Sequence, residues 1–579
     1  MTKSDENIIT KFNSKFSMAL IGLLVFIFSF LIYLPSLNNS FVWDDVINIQ
    51  NEYYKFQNTN IRSLIIPKNL ERKKNSYYRP VFHFSIVFDY KNWGNNPLGY
   101  HLSNNLFFSL SSVLFFFLIL LILKEFHIYG KEFIACIATI IYMVHPMHVE
   151  SVSWIAGRTD ILCTIFFLSA FLTHIYSYKY LWLIPFTFLF FILSFLSKEI
   201  AVAFPFLMIS YDILKSRKPT LKNVYISIFY FIFLILLLLI RNRAYNSFPQ
   251  ISPLKIGKGL EGKIELFDYL KSIQIILNSY LYYFYKLLLP VKFNALISDV
   301  PKNIFYSFFS LIVFIGLIFS SFFSYRKKTG LKALAIIWLI LSLSPSVLIS
   351  VIKLSTTPIA ERYLFLPICG FSLLIAYLIF PYLNNKSYKK YVIVVLLVLF
   401  STLLFINIKR QSVWKDRITF WTDISNKTTN NAVPHINLGM ALIEKGNLDK
   451  GIITLKKSFN PGLTAPPIFR SIAANNLGIA YLGKKQINTA KEWFLKGIEY
   501  ESNFHKSYYH LGLVEFTIAK SKGSYESYGK AEEYLLKAVK INKKYGRAYL
   551  MLAKVNLEYS NYIKARKYAQ KAIDSGLTY

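Results

Sequence analysis

The sequence predicts a mainly α protein in two parts, a polytopic membrane helical bundle followed by a soluble solenoid of helix pairs. Three observations predict it. Long apolar runs recur from residue 18 to about residue 408 and then stop. Short basic loops separate many of them. Beyond them, Lys- and Glu-bearing helical patterns repeat at a fixed interval. With 579 residues, 54% of them hydrophobic, the chain is too long for one ordinary domain and too apolar for a purely soluble one.

The formal net charge of +35 raises the question of nucleic acid. Much of the excess lies in loops between apolar runs, where Lys and Arg fix orientation and meet anionic lipid headgroups. No nucleic-acid signature accompanies it, so membrane lipids are the expected partner. Cys136, Cys163 and Cys369 all fall in apolar stretches and imply neither a disulfide framework nor a metal pattern.

Taken in order, Lys3, Lys11 and Lys15 precede the first run, 16–34. Pro35-Ser36-Leu37-Asn38-Asn39 lacks a small-x-small cleavage site, which predicts an uncleaved span with a cytoplasmic N-terminus. Further runs cover about 104–123, 133–146, 159–177, 180–196, 200–214, 223–240, 273–289, 304–323, 332–352, 363–382 and 390–408. The basic loops at 124–131, 215–222, 326–332 and 386–390 belong in the cytoplasm. Three runs between 222 and 326 break that parity. The run 273–289, with Tyr280, Tyr282, Tyr283 and Tyr285 before Lys286 and Pro290, therefore reads as interfacial or re-entrant. About eleven spans remain, which places the C-terminal part outside. The expected boundaries are a membrane domain over 1–408, a linker over 409–430 and repeats over 431–579.

The outward segments of this topology hold the unusual polar motifs. The first loop, 36–103, carries Trp43-Asp44-Asp45, Tyr78-Arg79-Pro80, an expected interfacial helix over 81–93, and Gly99-Tyr100-His101-Leu102-Ser103-Asn104. The second carries His145-Pro146-Met147-His148-Val149-Glu150-Ser151-Val152-Ser153-Trp154-Ile155-Ala156-Gly157-Arg158-Thr159-Asp160. Ser197-Lys198-Glu199 and Glu361-Arg362-Tyr363-Leu364-Phe365-Leu366-Pro367 follow. Bare carboxylates beside a membrane are costly and mark a functional site by default.

In the C-terminal part, Leu477-Gly478-Ile479-Ala480-Tyr481 recurs as Leu511-Gly512-Leu513-Val514-Glu515, an offset of 34 residues, the tetratricopeptide period. Leu438-Gly439 and Leu552-Ala553 match the same position. Gly451, Ala490, Ala531 and Ala565 supply the small residue of the second helix. Four helix pairs are expected, with a partial unit at 414–425 and seven extra residues around 522–528 between the helices of the third pair.

This ordered set of motifs, from residue 43 to residue 367 and continued by the repeats, resembles the transmembrane and tetratricopeptide-repeat (TMTC) O-mannosyltransferases and their bacterial relatives. The resemblance implies a GT-C fold and transfer of a sugar, mannose or another hexose, from a polyprenyl-phosphate carrier on the non-cytoplasmic face. It implies an acidic residue of the first loop as the base, which maps to Asp44 or Asp45. It also implies no metal, so no cofactor is expected, and the alternative reading of Asp44-Asp45 as a divalent-cation site is not favoured. The biased composition and the bacterial relatives point to a bacterial inner membrane with the repeats in the periplasm.

The chemistry assigns the remaining roles. An acceptor hydroxyl needs a carboxylate base as the sugar–phosphate bond breaks. The leaving phosphate needs cations, Arg above all. Arg79, Arg158, Lys198 and Arg362 are the outward candidates, with His101, Glu150 and Glu199 as substrate-binding companions. Each has a structural alternative: Asp44 and Asp45 as loop caps, Lys198 paired with Glu199, Arg158 paired with Asp160 or Glu150. His145, His148 and Glu150 lack the helical spacing of a zinc site. The repeats are expected to recruit an acceptor polypeptide. Competing readings are a GT-C enzyme acting on a lipid or surface polysaccharide, and a non-catalytic membrane scaffold.

Overall fold

The computed structural model describes residues 15–50, 78–216, 221–246, 266–297, 303–327, 329–352 and 359–575. The chain divides into two compact units, Met1–Asp416 and Arg417–Tyr579. Among the described residues both are helical, with isolated bridges but no strand.

The first unit contains α1 (Lys15–Ile32), α2 (Pro80–Trp93), α3 (Pro97–Glu125), α4 (Lys131–Val144), α5 (Val149–Ser153), α6 (Arg158–Ser177), α7 (Ile184–Ser197) and α8 (Phe204–Ser216). It continues with α9 (Leu221–Asn246), α10 (Leu266–Leu288), α11 (Ile304–Arg326), α12 (Gly330–Ile352), α13 (Pro367–Asn384) and α14 (Lys386–Gln411). Each apolar run of the sequence coincides with a helix. α3 lies at the centre, packed on α1, α4 and α6. It buries Phe108, Phe115, Phe116, Leu118 and Ile119 on several sides, as an all-round apolar helix must. Its Ser109, Ser111 and Ser112 hydroxyls donate to carbonyls of their own helix at 2.7–3.0 Å, so small polar residues are buried without open donors. By contrast, α11 and the segment Lys386–Trp414 bury only 11% and 17% of their apolar windows, a surface suited to lipid.

Seven described helices are long and apolar enough to cross a membrane, and the bent pair Lys131–Val144 plus Pro146–Ser153, broken by 50°, is an eighth candidate. This is fewer than the eleven that loop charge predicts. Ser17–Ile32 and Leu181–Ser197 are apolar but shorter. α8, with 13 residues, is about 20 Å long against a hydrocarbon core of about 30 Å. α10, the run read as interfacial or re-entrant, is not among the seven.

α2 begins at Pro80 as predicted. It packs on α3, α6 and α7, burying Ile86, Val87 and Asp89 while Phe84 and Phe88 face outward. The segment 409–430 is not a linker. α14 runs on to Gln411, Trp414 is fully buried in the first unit, and the second unit starts with a helix at Arg417. The part of the first loop at 51–77 lies outside the described residues, as do parts of the loops expected at 215–222, 241–303 and 353–362.

The second unit holds α15 (Arg417–Lys427) and four helix pairs: α16 (Val433–Glu444) with α17 (Leu448–Lys457), α18 (Pro467–Gly483) with α19 (Ile487–Tyr500), α20 (His505–Lys522) with α21 (Tyr525–Ile541), and α22 (Gly546–Glu558) with α23 (Tyr562–Asp574). A mid-helix Gly costs about 1 kcal/mol relative to Ala, so its recurrence needs a packing reason. A Cβ on Gly439, Gly478 or Gly512 would fall 2.4–2.7 Å from Leu455, Phe494 or Leu535 of the partner helix. These side chains fill the space the glycines leave. The extra residues of the third pair lengthen its helices rather than forming a loop, with Gly523 at φ +63° making the turn.

Candidate active site

The site is built around the turn after α1. Trp43 has φ +51°, a left-handed conformation that is strained for a bulky residue. Its indole is held by stacking on Trp154 at 4.9 Å, and Trp154 stacks in turn on Trp414 at 6.1 Å. The two carboxylates that follow have different surroundings. Asp45 is fully buried. Its Oδ1 accepts the Ala156 N–H at 2.9 Å and its Oδ2 accepts the Val42 N–H at 3.5 Å, tying the first loop to the second. Burial pushes its carboxyl up to about 8, against those hydrogen bonds, and the neighbouring Asp44 charge adds to the rise. Asp44 is only half-buried. Burial raises its carboxyl too, and the Arg362 charge draws it back down.

Arg362 lies on a short turn, Glu361–Leu364, before α13. Its guanidinium bonds Glu150 at 2.5 Å and its backbone N–H reaches the same carboxylate at 3.2 Å. It also lies over the rings of Trp43, Trp154 and Tyr363 at 5.2–5.7 Å. Glu150 therefore orients Arg362. Neighbouring Glu361 is buried and anchors the turn, accepting the Asn294 N–H at 2.8 Å with Lys286 at 3.6 Å and Arg410 at 3.5 Å.

The remaining cations enter from α7 and its neighbours. Lys198 caps the end of α7, bonds Asp160 at 2.5 Å and sits 5.1 Å over the Tyr363 ring, beside Arg362. Burial brings its ammonium down to about 8, opposed by Asp160. The next residue, Glu199, accepts a two-pronged contact from Arg79, at 3.3 and 2.8 Å, and a further ion pair from Arg241 at the end of α9. All three side chains keep 12–25% of their surface accessible. Lys198 and Glu199 thus pair with other residues, not with each other.

Two sequence candidates are corrected. Arg158, expected to meet phosphate, is fully buried and committed inside the protein. It pairs with Asp89 at 2.6 Å and donates to the Asn104 side chain at 2.6 Å, the Tyr100 carbonyl at 2.8 Å and Ser85 at 3.3 Å. His101 is fully buried in the first turns of α3. Both side chains are buried, away from the accessible surface. The turn leading into Arg158 is tight: a Cβ on Gly157 would meet the Ser151 backbone at 2.7–2.8 Å. Among the described residues no group of three or more His, Cys, Asp or Glu side chains is placed to hold a metal.

Sequence reasoning missed the Trp43–Trp154 stack, the anchoring role of Glu361 and the place of Arg241. The repeated Trp and Arg residues of the motifs were the available signal for the stack. Nothing local marks Arg241.

Comparison with known proteins adds the lineage. A family profile described as "Tetratricopeptide repeat" matches residues 473–504. A Caenorhabditis elegans protein, "Protein O-mannosyl-transferase F38B6.6", is 27% identical over 72% of this chain and 59% of its own length. Mouse "Protein O-mannosyl-transferase TMTC3" is 32% identical over 24% of this chain and 15% of its own. Mouse "Protein O-mannosyl-transferase TMTC4" is 29% identical over 26% of this chain and 22% of its own. The chain thus spans less than two thirds of the curated relatives it matches. A solved structure, "Crystal structure of MamA protein", covers 27% of this chain and 80% of its own at 22% identity, with a TM-score of 0.23. The chain is a multi-pass membrane protein with a tetratricopeptide-repeat arm, and its sequence relatives are protein O-mannosyl-transferases of the TMTC group.

Proposed function

We propose that this chain is a membrane glycosyltransferase that moves mannose or another hexose from a polyprenyl-phosphate donor to an acceptor hydroxyl. The acceptor is a Ser or Thr of an exported protein, recruited by the repeats. The observation that carries this reading is one half-buried carboxylate, Asp44, within the field of Arg362, with Lys198 sharing the Tyr363 ring with Arg362 and the Arg79–Arg241 pair held on the adjoining Glu199. The names of the sequence relatives support transfer to protein.

In the reaction, the acceptor oxygen forms its bond to the anomeric carbon of the sugar. The bond from that carbon to the phosphate oxygen breaks. Asp44 takes the hydroxyl proton, and the polyprenyl phosphate departs with the bonding electrons, its charge balanced by the cationic groups. Burial raises the Asp44 carboxyl above its ordinary value, which makes its ionised form a stronger base. Asp45 holds the loop in register against Ala156, and no bound metal enters the scheme. In this reading the reaction takes place on the non-cytoplasmic face of the membrane, with the repeats on the same side, the periplasm of a bacterial inner membrane.

The test is transfer in nanodiscs with a panel of polyprenyl-phosphate sugars, followed by mass spectrometry of an exported acceptor protein. Hexose addition at Ser or Thr is expected. No transfer from any lipid-linked sugar, or transfer only to lipid or polysaccharide, contradicts the reading.

A further inference from the structure

Resting on that function, we infer that Glu199 is a built-in placeholder for the donor phosphate: it occupies the Arg79–Arg241 clamp when the site is empty and competes with the leaving polyprenyl phosphate after transfer.

The geometry carries this in three steps. Two guanidiniums converge on one carboxylate, Arg79 as a two-pronged fork at 3.3 and 2.8 Å and Arg241 from a different helix. One carboxylate thus holds two guanidiniums at once. An Arg fork matches carboxylate and phosphate in the same way, so a phosphate can take the place Glu199 holds. The triad is also reachable. Arg79, Glu199 and Arg241 keep 19%, 25% and 12% of their side-chain surface open, whereas Arg158 and its partner Asp89 keep 0% and 2%. A purely structural pair of the Arg158 kind has no such access.

The triad adjoins the proposed chemistry. Lys198 precedes Glu199 in the chain and lies over Tyr363, next to Arg362. A donor phosphate seated in the clamp therefore lies beside Lys198, which shares the Tyr363 ring with Arg362. Charge gives the placeholder a purpose. The donor is a phosphodiester with one negative charge, and the product is a monoester with up to two. A clamp of bare arginines holds product more tightly than substrate. A carboxylate that returns to the arginines offsets that difference and speeds release.

The test is binding of farnesyl phosphate, a short-chain prenyl monophosphate, to full-length protein in nanodiscs, with inorganic phosphate and phosphatidylglycerol as comparison ligands. Glu199→Gln keeps the shape of the side chain and removes its charge. It is expected to tighten farnesyl phosphate binding on the order of tenfold, since the site no longer spends most of its time self-occupied. Arg241→Gln is expected to weaken binding in both the wild-type and Glu199→Gln backgrounds. Unchanged or weaker binding in Glu199→Gln overturns the placeholder, and tightening confined to phosphatidylglycerol overturns it in favour of a phospholipid headgroup site. Should Glu199→Gln fail to fold, the Arg241→Gln arm decides alone: no loss of farnesyl phosphate binding overturns the clamp. No binding of farnesyl phosphate by the wild type or any variant overturns the donor reading as well. Binding that ignores only Glu199 leaves that reading standing.

Discussion

The two ends of α6 both carry buried polar networks, and they differ in one respect that matters. Arg158 and Asp160 lie at one end, His174 and Tyr178 at the other, roughly 24 Å away along the helix. At the far end, His174 bonds Tyr230 at 2.9 Å and Asp212 at 3.2 Å, and Tyr178 donates to the same Asp212 carboxylate. His174 and Asp212 are 1% and 3% exposed, and the network closes on itself as a staple of α6, α8 and α9. At the near end, Arg158 with Asp89 is equally closed, but Asp44 is half-buried and the Arg79–Glu199–Arg241 group is open. Burying charge is costly at either end, so burial alone does not mark a working site. Access does.

The largest expected difference between the ends is in catalysis. Asp44→Asn is expected to lower transfer by about 10²–10⁴-fold, the usual worth of a positioned base, while Asp212→Asn leaves kcat within about threefold. Equal losses in both variants, measured in nanodiscs, break the comparison.

Stability comes next. Arg158→Gln leaves Asp89 buried without its cation and is expected to cost about 3–5 kcal/mol, read as a lowered midpoint of thermal unfolding. Asp212→Asn keeps one acceptor for His174 or Tyr178 and is expected to cost about 1–3 kcal/mol. A larger loss at Asp212 reverses the ranking.

The smallest effects concern pH. The Asp45 carboxyl is raised in the folded protein to about 8. Its contribution to stability is therefore complete below the unfolded value, about 4, and is lost as pH rises through about 8. Thermal midpoints are expected to fall across that window in the wild type and to fall less in Asp45→Asn. Parallel slopes contradict the assignment. Asp44 acts as a base only when ionised, so its raised carboxyl moves the acid limb of the rate profile above the usual carboxylate range. Loss of Lys198 charge above about 8 adds an alkaline limb.

Much of this was legible in the sequence because it depends on local pattern. Every apolar run became a helix, and the 34-residue spacing of Leu477-Gly478 and Leu511-Gly512 marked the repeats whose glycines receive Phe494 and Leu535. The Trp43-Asp44-Asp45 turn was visible as charge in an unfavourable place. Pairing was not legible. Arg158 chose Asp89 on α2 over the nearer Asp160, and Asp160 took Lys198 instead. Such choices follow from how helices pack, and no spacing rule encodes them. The same holds for Arg241 and Glu199. Loop charge gives about eleven spans, whereas seven or eight described helices pass on length and composition, because basic loops report which side a segment faces and not how many residues are available to cross. The supposed linker failed for a similar reason: a polar composition after residue 408 does not reveal that Trp414 is buried.

The most direct test of the central claim is hexose transfer from a polyprenyl-phosphate donor by wild type, Asp44→Asn and Asp45→Asn, each confirmed folded by its thermal midpoint. The expected result is transfer by the wild type, loss of about 10²-fold or more in Asp44→Asn, and a smaller loss in Asp45→Asn. Wild-type rates in folded Asp44→Asn would contradict the account.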